Sequence, residues 1–350
     1  MKKRVDNYKN FDEFKKLADL EFFPLFNEKV KEAFNNSEKI KEINNKKNIT
    51  FIFLGVLIFF SLISIILLFT NNFIGFIAIL LISLIISFIF FFFWRIYQKE
   101  KEKLLNSILK NIPIKELYTE AFKKLEPSIK YFGFISEQEE QFREVFITKK
   151  EVELYRNNVN YNATIFDISE PQFLLIRDKF PVSFVNVIYL LREYNRKGEY
   201  VDRFFHKGIL KISTKKLEEK SFVFSLLKGG NIFSKKSKVK LENENFNKIF
   251  KPITNDELKI RQMYTPLSME LSLKRIKDMR GVKATNLWIT SDSNNIYYEY
   301  SIDFNFMILD YKKSKLDSEK IISELYQDFL IDIYTLYYLI SIMYITNYLD

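Results

Sequence analysis

Hydrophobic positions in this chain follow three different rhythms. From Ile49 to Thr70 and from Phe73 to Trp94 they are continuous, two runs of 22 residues without a charge, separated only by Asn71 and Asn72. At 1.5 Å per residue each run makes a helix of about 33 Å, close to the thickness of a bilayer's hydrocarbon core. A helix can cross lipid because its backbone hydrogen bonds are internal. A run such as "FIFLGVLIFFSLISIILLF" also lacks the polar face that a soluble helix shows to water. The pattern predicts a transmembrane hairpin. Ser61, Ser64, Ser83 and Ser87 lie well inside it, placed to help helices pack in lipid.

The second rhythm is helical. Phe11, Phe14, Leu17, Ala18, Phe22, Leu25 and Phe26 recur at helix spacing, interrupted at Pro24, and Val30, Ala33 and Phe34 continue the stripe. This predicts an amphipathic helix pair over residues 9–45, suited to packing on its own domain or to lying on a membrane surface. Beyond Trp94 the second span runs on as the charged helix "RIYQKEKEKLLNSILKNI" to Pro113, and a further helix covers Ile114–Leu125. A turn is expected at Gly133, then a short helix with Ser136 and Glu139 at capping-box spacing.

The third rhythm is alternation. Tyr161–Ser169, Phe184–Tyr194 and Tyr200–Ser213 are rich in aromatic and β-branched residues and read as strands, with "NRKG" at 195–198 as a hairpin turn. Shorter extended runs follow at Phe222–Leu227, Lys238–Leu241 and Phe250–Thr254. Pro266 starts a helix through Met279 that Gly281 ends. Asn286–Ser291 and Ile296–Phe304 make a closing hairpin through "DSNN". A final helix over 318–349 is apolar enough to suggest a third span, but Asp332 and its tyrosines favour packing over a sheet.

Composition narrows the chemistry. The chain has no cysteine, which excludes disulfides and thiolate metal sites, and a single histidine, His206. Net charge is +10, shared evenly: residues 1–104 hold 16 Lys/Arg against 11 Asp/Glu, which is +5, and the remainder carries the other +5. A single patch of nucleic-acid size is therefore not expected. Locally, Lys39, Lys41, Lys46 and Lys47 precede the first span, and Arg95, Lys99, Lys101 and Lys103 follow the second, while the tip is uncharged. The positive-inside rule then puts both flanks and both termini in the cytoplasm, with the flanks against anionic lipid headgroups. No signal-peptide pattern precedes the spans, and no ionisable residue within them suggests an ion pathway.

No phosphate-binding glycine loop, nucleophile elbow or His-Glu-x-x-His motif is present, so no catalytic residue, metal or cofactor is assigned. Glu137, Glu139 and Glu140 are weighed as a cation site against a solvated helix face, and the latter is preferred. His206 reads as a structural histidine. Asp256 and Glu257 suit the first turn of a helix, where the dipole favours carboxylates. Lys235, Lys236, Lys238 and Lys240 crowd one loop and join Lys46, Lys47, Arg95, Lys99, Lys101 and Lys103 as candidate headgroup contacts.

Two segments carry a resemblance: "FFHKGILKI" at 204–212 and "VKLENENFNKIFKPITNDELKIRQMYTPLSMELSLKRI" at 239–276, followed by the closing strands and helix. They resemble a bacterial membrane-protein family known only as domain of unknown function 3137. Leu241, Glu242, Phe246, Phe250, Asp256, Arg261, Thr265 and Pro266 occupy its recognisable positions. Lys259 and Ile260 stand where the family has Glu-Ala, Tyr264 replaces its leucine, and 170–184 looks like extra sequence. The resemblance implies an amphipathic N-terminal region, two spans and a cytoplasmic α/β region, with LemA-type membrane proteins as possible partners, and it brings no catalytic residues. By their own chemistry the motif positions read as structural: a helix cap and a helix-starting proline.

The expected fold is α+β: a two-helix transmembrane hairpin followed by a cytoplasmic mixed α/β domain, a curled antiparallel sheet or partly open barrel with a C-terminal helix. The expected blocks are 1–48, the hairpin 49–94, a juxtamembrane helical region 95–150, and the α+β domain 151–350. The expected role is a binding or scaffolding module at the bacterial inner membrane, with lipids and other membrane proteins as partners, nucleic acid not expected and oligomeric state open. The alternatives are a membrane-anchored enzyme with a carboxylate-based or carboxylate–metal site, and an oligomeric channel or transporter component.

Overall fold

The computed structural model describes residues 8–34, 37–70, 73–134, 140–156, 159–213, 223–227, 237–292, 294–309 and 318–345. They form two compact units. One comprises Leu25–Pro113 with Tyr311–Glu324, the other Met1–Pro24, Ile114–Asp310 and Leu325–Asp350.

The first unit holds two long helices, α3 (Ser37–Phe69) and α4 (Phe73–Asn111). Both contain stretches long and apolar enough to cross a membrane. They run antiparallel: Phe53 stacks on Phe93 at 5.5 Å, and further from the tip Lys46 Nζ meets Glu100 Oε2 at 2.6 Å. Ser61 and Ser83 do not bridge the helices as expected. Each donates back to its own helix, to the carbonyls of Leu57 and Leu80. α4 passes without a break from apolar to charged sequence and stops before Pro113, whose ring cannot continue a helix.

In the second unit the described strands form one open antiparallel sheet, in the order β1 (Ile129–Phe134), β3 (Gln172–Ile176), β4 (Phe180–Tyr194), β5 (Tyr200–Ser213), β10 (Asn295–Ser301), β9 (Thr285–Ser291), β6 (Phe224–Leu226), β8 (Ile253–Thr254), β7 (Ser237–Lys238), with β2 (Thr164–Ile168) also paired to β4. Its spine is the hairpin of β4 (Phe180–Tyr194) and β5 (Tyr200–Ser213). The expected turn closes it: Asn195 Oδ1 accepts from the amides of Lys197 and Glu199. β9 (Thr285–Ser291) and β10 (Asn295–Ser301) form the second expected hairpin. β6 (Phe224–Leu226), β7 (Ser237–Lys238) and β8 (Ile253–Thr254) finish the sheet.

Three expectations change. The strand expected from Phe184 begins earlier and has an unexpected partner: residues 170–184 contain β3 (Gln172–Ile176) and the start of β4, joined through Arg177 and Asp178 at φ 52° and 55°. Two left-handed residues make the tight turn whose twist matches a hairpin, without its usual Asn-Gly signature. Gly133 is not a turn but follows the bulge at Phe132 in β1 (Ile129–Phe134), where its φ of 69° lets the strand keep pairing with β3. Phe250 ends a helix, α7 (Glu244–Phe250), instead of starting a strand; Asn243 caps it by accepting from Phe246 N, and the rings of Phe246 and Phe250 stack at 4.2 Å. The capping-box pair Ser136 and Glu139 lies outside the described residues, as does most of the loop with Lys235 and Lys236.

Helices cover the sheet. α10 (Ser318–Ile345) is buried along almost its whole length beyond Leu325, so its apolar surface is met by protein. Around it lie α1 (Phe11–Glu21), with Phe14 stacked on Tyr337, and α5 (Ile114–Leu125), with Tyr118 stacked on Phe329. α9 (Pro266–Lys277) joins through Arg275. α1 thus belongs with the sheet, and the break before α2 (Phe23–Ala33) falls at Phe22, with Pro24 in the first turn of α2. On the opposite face of the sheet, α6 (Lys149–Arg156) and β2 (Thr164–Ile168) pack over Val185, Val187, Tyr189 and Ile209.

Gly208 sits opposite Tyr300 in the β5–β10 register, and the Tyr300 ring lies where a side chain on Gly208 would be. Gly208→Ala is therefore expected to destabilise the full chain in detergent by about 1–3 kcal/mol through overpacking. In a Tyr300→Ala background the same change should cost much less, which a double-mutant cycle by chemical denaturation measures. Additive losses would contradict the contact.

Candidate functional site

A fully buried charge in the sheet unit is Asp332, on α10, with no exposed surface. Lys283 Nζ reaches its Oδ1 at 2.8 Å and also pairs with Asp328, one turn earlier on the same helix. The other oxygen of Asp332 accepts from Met307 N at 2.9 Å and from the Tyr118 hydroxyl at 3.4 Å. Lys283 N in turn donates to Thr335 Oγ1 at 3.0 Å. A carboxylate–lysine site of the kind an enzyme could use is thus assembled. Its electrostatics point to structure. Burial pulls the Lys283 ammonium down, but Asp332 and Asp328 more than offset that and hold it above its ordinary value. A lysine base or nucleophile needs the opposite shift. Burial pushes the Asp332 carboxyl up to about 7, against the pull of Lys283.

A second polar centre lies on the α6 side of the sheet. Thr148 and Glu151 form a reciprocal cap at the start of α6, with Thr148 N donating to Glu151 Oε2 at 2.7 Å. The other oxygen of Glu151 takes Lys211 Nζ at 2.7 Å and the Tyr297 hydroxyl at 2.8 Å. Burial alone would raise Glu151; its bonds from Lys211, Thr148 and Tyr297 hold it below the ordinary carboxylate value. Four residues earlier along β5, Lys207 pairs with Glu299 at 3.5 Å beside the Trp288 ring. The sequence signal existed: Lys207 and Lys211 alternate in phase with Ile209, on a strand face that should be apolar.

A third centre is Arg275, fully buried. Its guanidinium lies 4.5 Å from the ring centres of Tyr8 and Tyr338 and donates from Nε to Ser341 Oγ at 2.8 Å. Nearby, a cleft of about 600 Å³ is lined by Asp12, Glu13 and Asp278 against Lys274 and Arg280, and Asp12 and Arg280 already pair at 2.6 Å. Its charges largely cancel, so it selects no ligand charge.

The residues singled out from sequence fall into two sets. The motif positions form one clamp. Asp256 caps α8 (Glu257–Met263) through Lys259 N, and Thr265 caps α9 through Ser268 N, with Pro266 in its first turn. Arg261 joins Glu257, Glu242 and the Lys240 carbonyl, while Leu241, Phe246 and Phe250 are buried. Of the basic flank residues, Arg95, Lys99 and Lys103 are exposed and Lys47 is half-buried beside Phe51. Lys46 is held between Glu42 and Glu100, and Lys101 is buried, so these two do not present free charges as expected. Lys238 and Lys240 are exposed; Lys235, Lys236, Glu137 and Glu139 lie outside the described residues, and His206 is exposed on β5. Among the described residues no group of three His, Asp or Glu is arranged to hold a metal.

Lys283→Met leaves Asp332 buried and unpaired and is expected to cost about 3–5 kcal/mol, whereas Lys283→Met with Asp332→Leu should recover most of it. A carboxyl whose pKa rises on folding binds more protons in the native state. Asp332 therefore makes stability fall as pH rises from about 4, its value in an unfolded chain, to about 7, and contributes no slope above that. Thermal unfolding across this window should flatten in Asp332→Asn; an unchanged slope would show that the carboxyl titrates normally. No family model, curated protein or solved structure matches this chain, so its function has to be read from its own geometry.

Proposed function

We propose that this chain is a two-pass protein of the bacterial inner membrane, anchored by α3 and α4, with both termini and the sheet unit in the cytoplasm, and that the unit serves as a binding or scaffolding module. The observation that carries the anchor is exposure. Between Ile49 and Phe93, twenty-two large apolar side chains stand open, among them Phe69 at 82% and Ile74 at 85%. Burying each is worth about 1.5–3 kcal/mol, so in water they would forgo more than the whole stability of an ordinary domain. Lipid removes that cost. Exposed Arg95, Lys99 and Lys103 at the end of the second apolar stretch support the cytoplasmic orientation and headgroup contact.

The binding reading rests on what the polar centres do. Lys283 and Lys211 are paired, Asp332 and Glu151 each accept from several donors, and each pair ties one element to another. Such groups hold a surface in shape. The resemblance to the domain of unknown function 3137 family supports the same architecture and keeps LemA-type membrane proteins as candidate partners.

Membranes washed in alkaline carbonate should retain the full chain, and reporters fused at residue 1 and residue 350 should both report cytoplasm. Release by carbonate would remove the anchor, and a periplasmic signal from either end would remove the topology. Cross-linking in native membranes should join the chain to a discrete partner; recovery of uncross-linked chain alone would count against the binding reading.

A further inference from the structure

The β4–β5 hairpin outruns the rest of the described sheet. β2 pairs with β4 no further than Leu190, and β10 pairs with β5 only from Lys207 to Ser213. Nearer the turn, residues 191–194 of β4 and 200–205 of β5 pair, among the described strands, only with each other, down to Tyr194 against Tyr200. Four residue steps past Leu190 make a two-strand ribbon that projects about 13 Å. Two strands have little core of their own and are marginal in water unless something holds them. Here ion pairs do: Arg192 meets Asp202 at 2.7 Å, and one residue along, on the other face, Arg203 meets Glu193 at 3.5 Å.

The first face is aromatic. Cross-strand partners share a face, so Tyr194 and Tyr200 sit together at the tip, Arg192 and Asp202 behind them, and Leu190 and Phe204 behind those. The two tyrosine rings lie 4.2 Å apart and are 66% and 63% exposed, and the Tyr194 hydroxyl donates to that of Tyr200. Phe204 is exposed as well, and the exposed Phe166 of β2 stands edge-on to it at 5.1 Å. The charges of the strands cancel in pairs; those of the turn do not. Arg196 and Lys197 are exposed, and neither is ion-paired among the described residues. Glu199, the one acid of the turn, is occupied by the Asn195 side-chain amide at 2.9 Å.

We propose that this ribbon rests with its aromatic face on an anionic lipid surface, with the rings of Tyr194, Tyr200 and Phe204 at headgroup level and Arg196 and Lys197 among the phosphates. Tyrosine suits that level because its ring is apolar and its hydroxyl is not. Arginine and lysine stems lie along such rings while their charged heads stay with the headgroups, and the positive turn complements an anionic leaflet. The Arg192–Asp202 pair between the rings is already neutralised and brings no net charge to the surface. A protein partner is a poorer match: past Leu190 no described strand flanks the ribbon to wall a cleft, and a bilayer yields to a convex tip. The proposal rests on the anchor reading, because the anchor keeps a bilayer at hand and a weak contact is then populated.

The test uses the full chain, one per lipid nanodisc. The chain has no cysteine, so a single introduced thiol carries a fluorophore without further changes. Val201→Cys puts the label beside Tyr200 on the other face of the ribbon and leaves both rings and both cations in place. Lipids with a nitroxide on the headgroup should quench this label in discs containing phosphatidylglycerol, and about twofold less or weaker in discs of phosphatidylcholine alone. In the anionic discs, Arg196→Gln with Lys197→Gln should lower the quenching by a similar factor, as should Tyr194→Ser with Tyr200→Ser, whereas Tyr194→Phe with Tyr200→Phe should keep most of it. Thermal unfolding verifies the fold of each variant. A label at Ile74→Cys, in the apolar stretch of α4, reports the anchor. Quenching at Ile74 with none at Val201 would overturn the ribbon contact and leave the anchor standing; quenching at neither would overturn both. Quenching at Val201 that ignores lipid charge and the variants alike would also overturn the contact. So would a change at Val201 that requires a second chain in the disc or added cell extract, which would make a protein the occupant.

Discussion

Everything in the sheet unit is organised around one buried carboxylate. Asp332 stands midway along a helix whose other faces are closed by Phe14, Phe22 and Tyr118, and it cannot be left unpaired there. Lys283 answers it from the segment that leads into β9, and Met307 N answers it from a backbone held at φ 59°. The segment bearing Met307 also lays Phe306 against Phe184 and Tyr300 on the sheet. One charge therefore fastens the central helix, the loop beneath it and the start of a strand. Further along α10, Ser341 and a ring of tyrosines hold Arg275 of α9, which repeats the device with opposite sign. An apolar helix with these two demands is satisfied by protein.

The same logic separates α10 from α3 and α4. All three are apolar enough to attract attention in a sequence. α3 and α4 carry no charge in their central stretches and leave their side chains open, whereas α10 carries Asp332 and hides nearly everything. Charge placement inside the apolar run, more than mean hydropathy, tells the two kinds of helix apart.

Much of this was readable from the chain. α4 from Phe73 on into charged sequence, Ile114–Leu125 as α5, and β5 over Tyr200–Ser213 match their expected spans, because long periodic segments and good turn residues speak locally, whereas α3 starts at Ser37, inside the region expected to be a separate amphipathic helix. What was missed depends on partners distant in sequence. The β3–β4 turn uses Arg-Asp, which looks like ordinary surface sequence, and only the pairing of its strands forces the left-handed backbone. α7 is too short for periodicity to reveal; its cap at Asn243 was the available clue. The motif caps at Asp256 and Thr265 could be seen as local chemistry. The edge of β2 that no described strand pairs could not, since it is a property of topology and leaves no residue signature.

The unbroken passage of α4 from apolar to charged sequence has a mechanical corollary. With no proline inside and no interruption from Phe73 to Asn111, the helix is a single shaft whose two halves share one angular phase. Tyr97, Lys101, Leu104 and Ile108 form its buried stripe after Trp94. Inserting one residue near Trp94 would turn that stripe by about 100° relative to the apolar half, while inserting seven would restore it to within about 20°. Length changes there are therefore quantised: the shaft tolerates whole heptads and rejects single steps, and a twist applied at one end is delivered at the other.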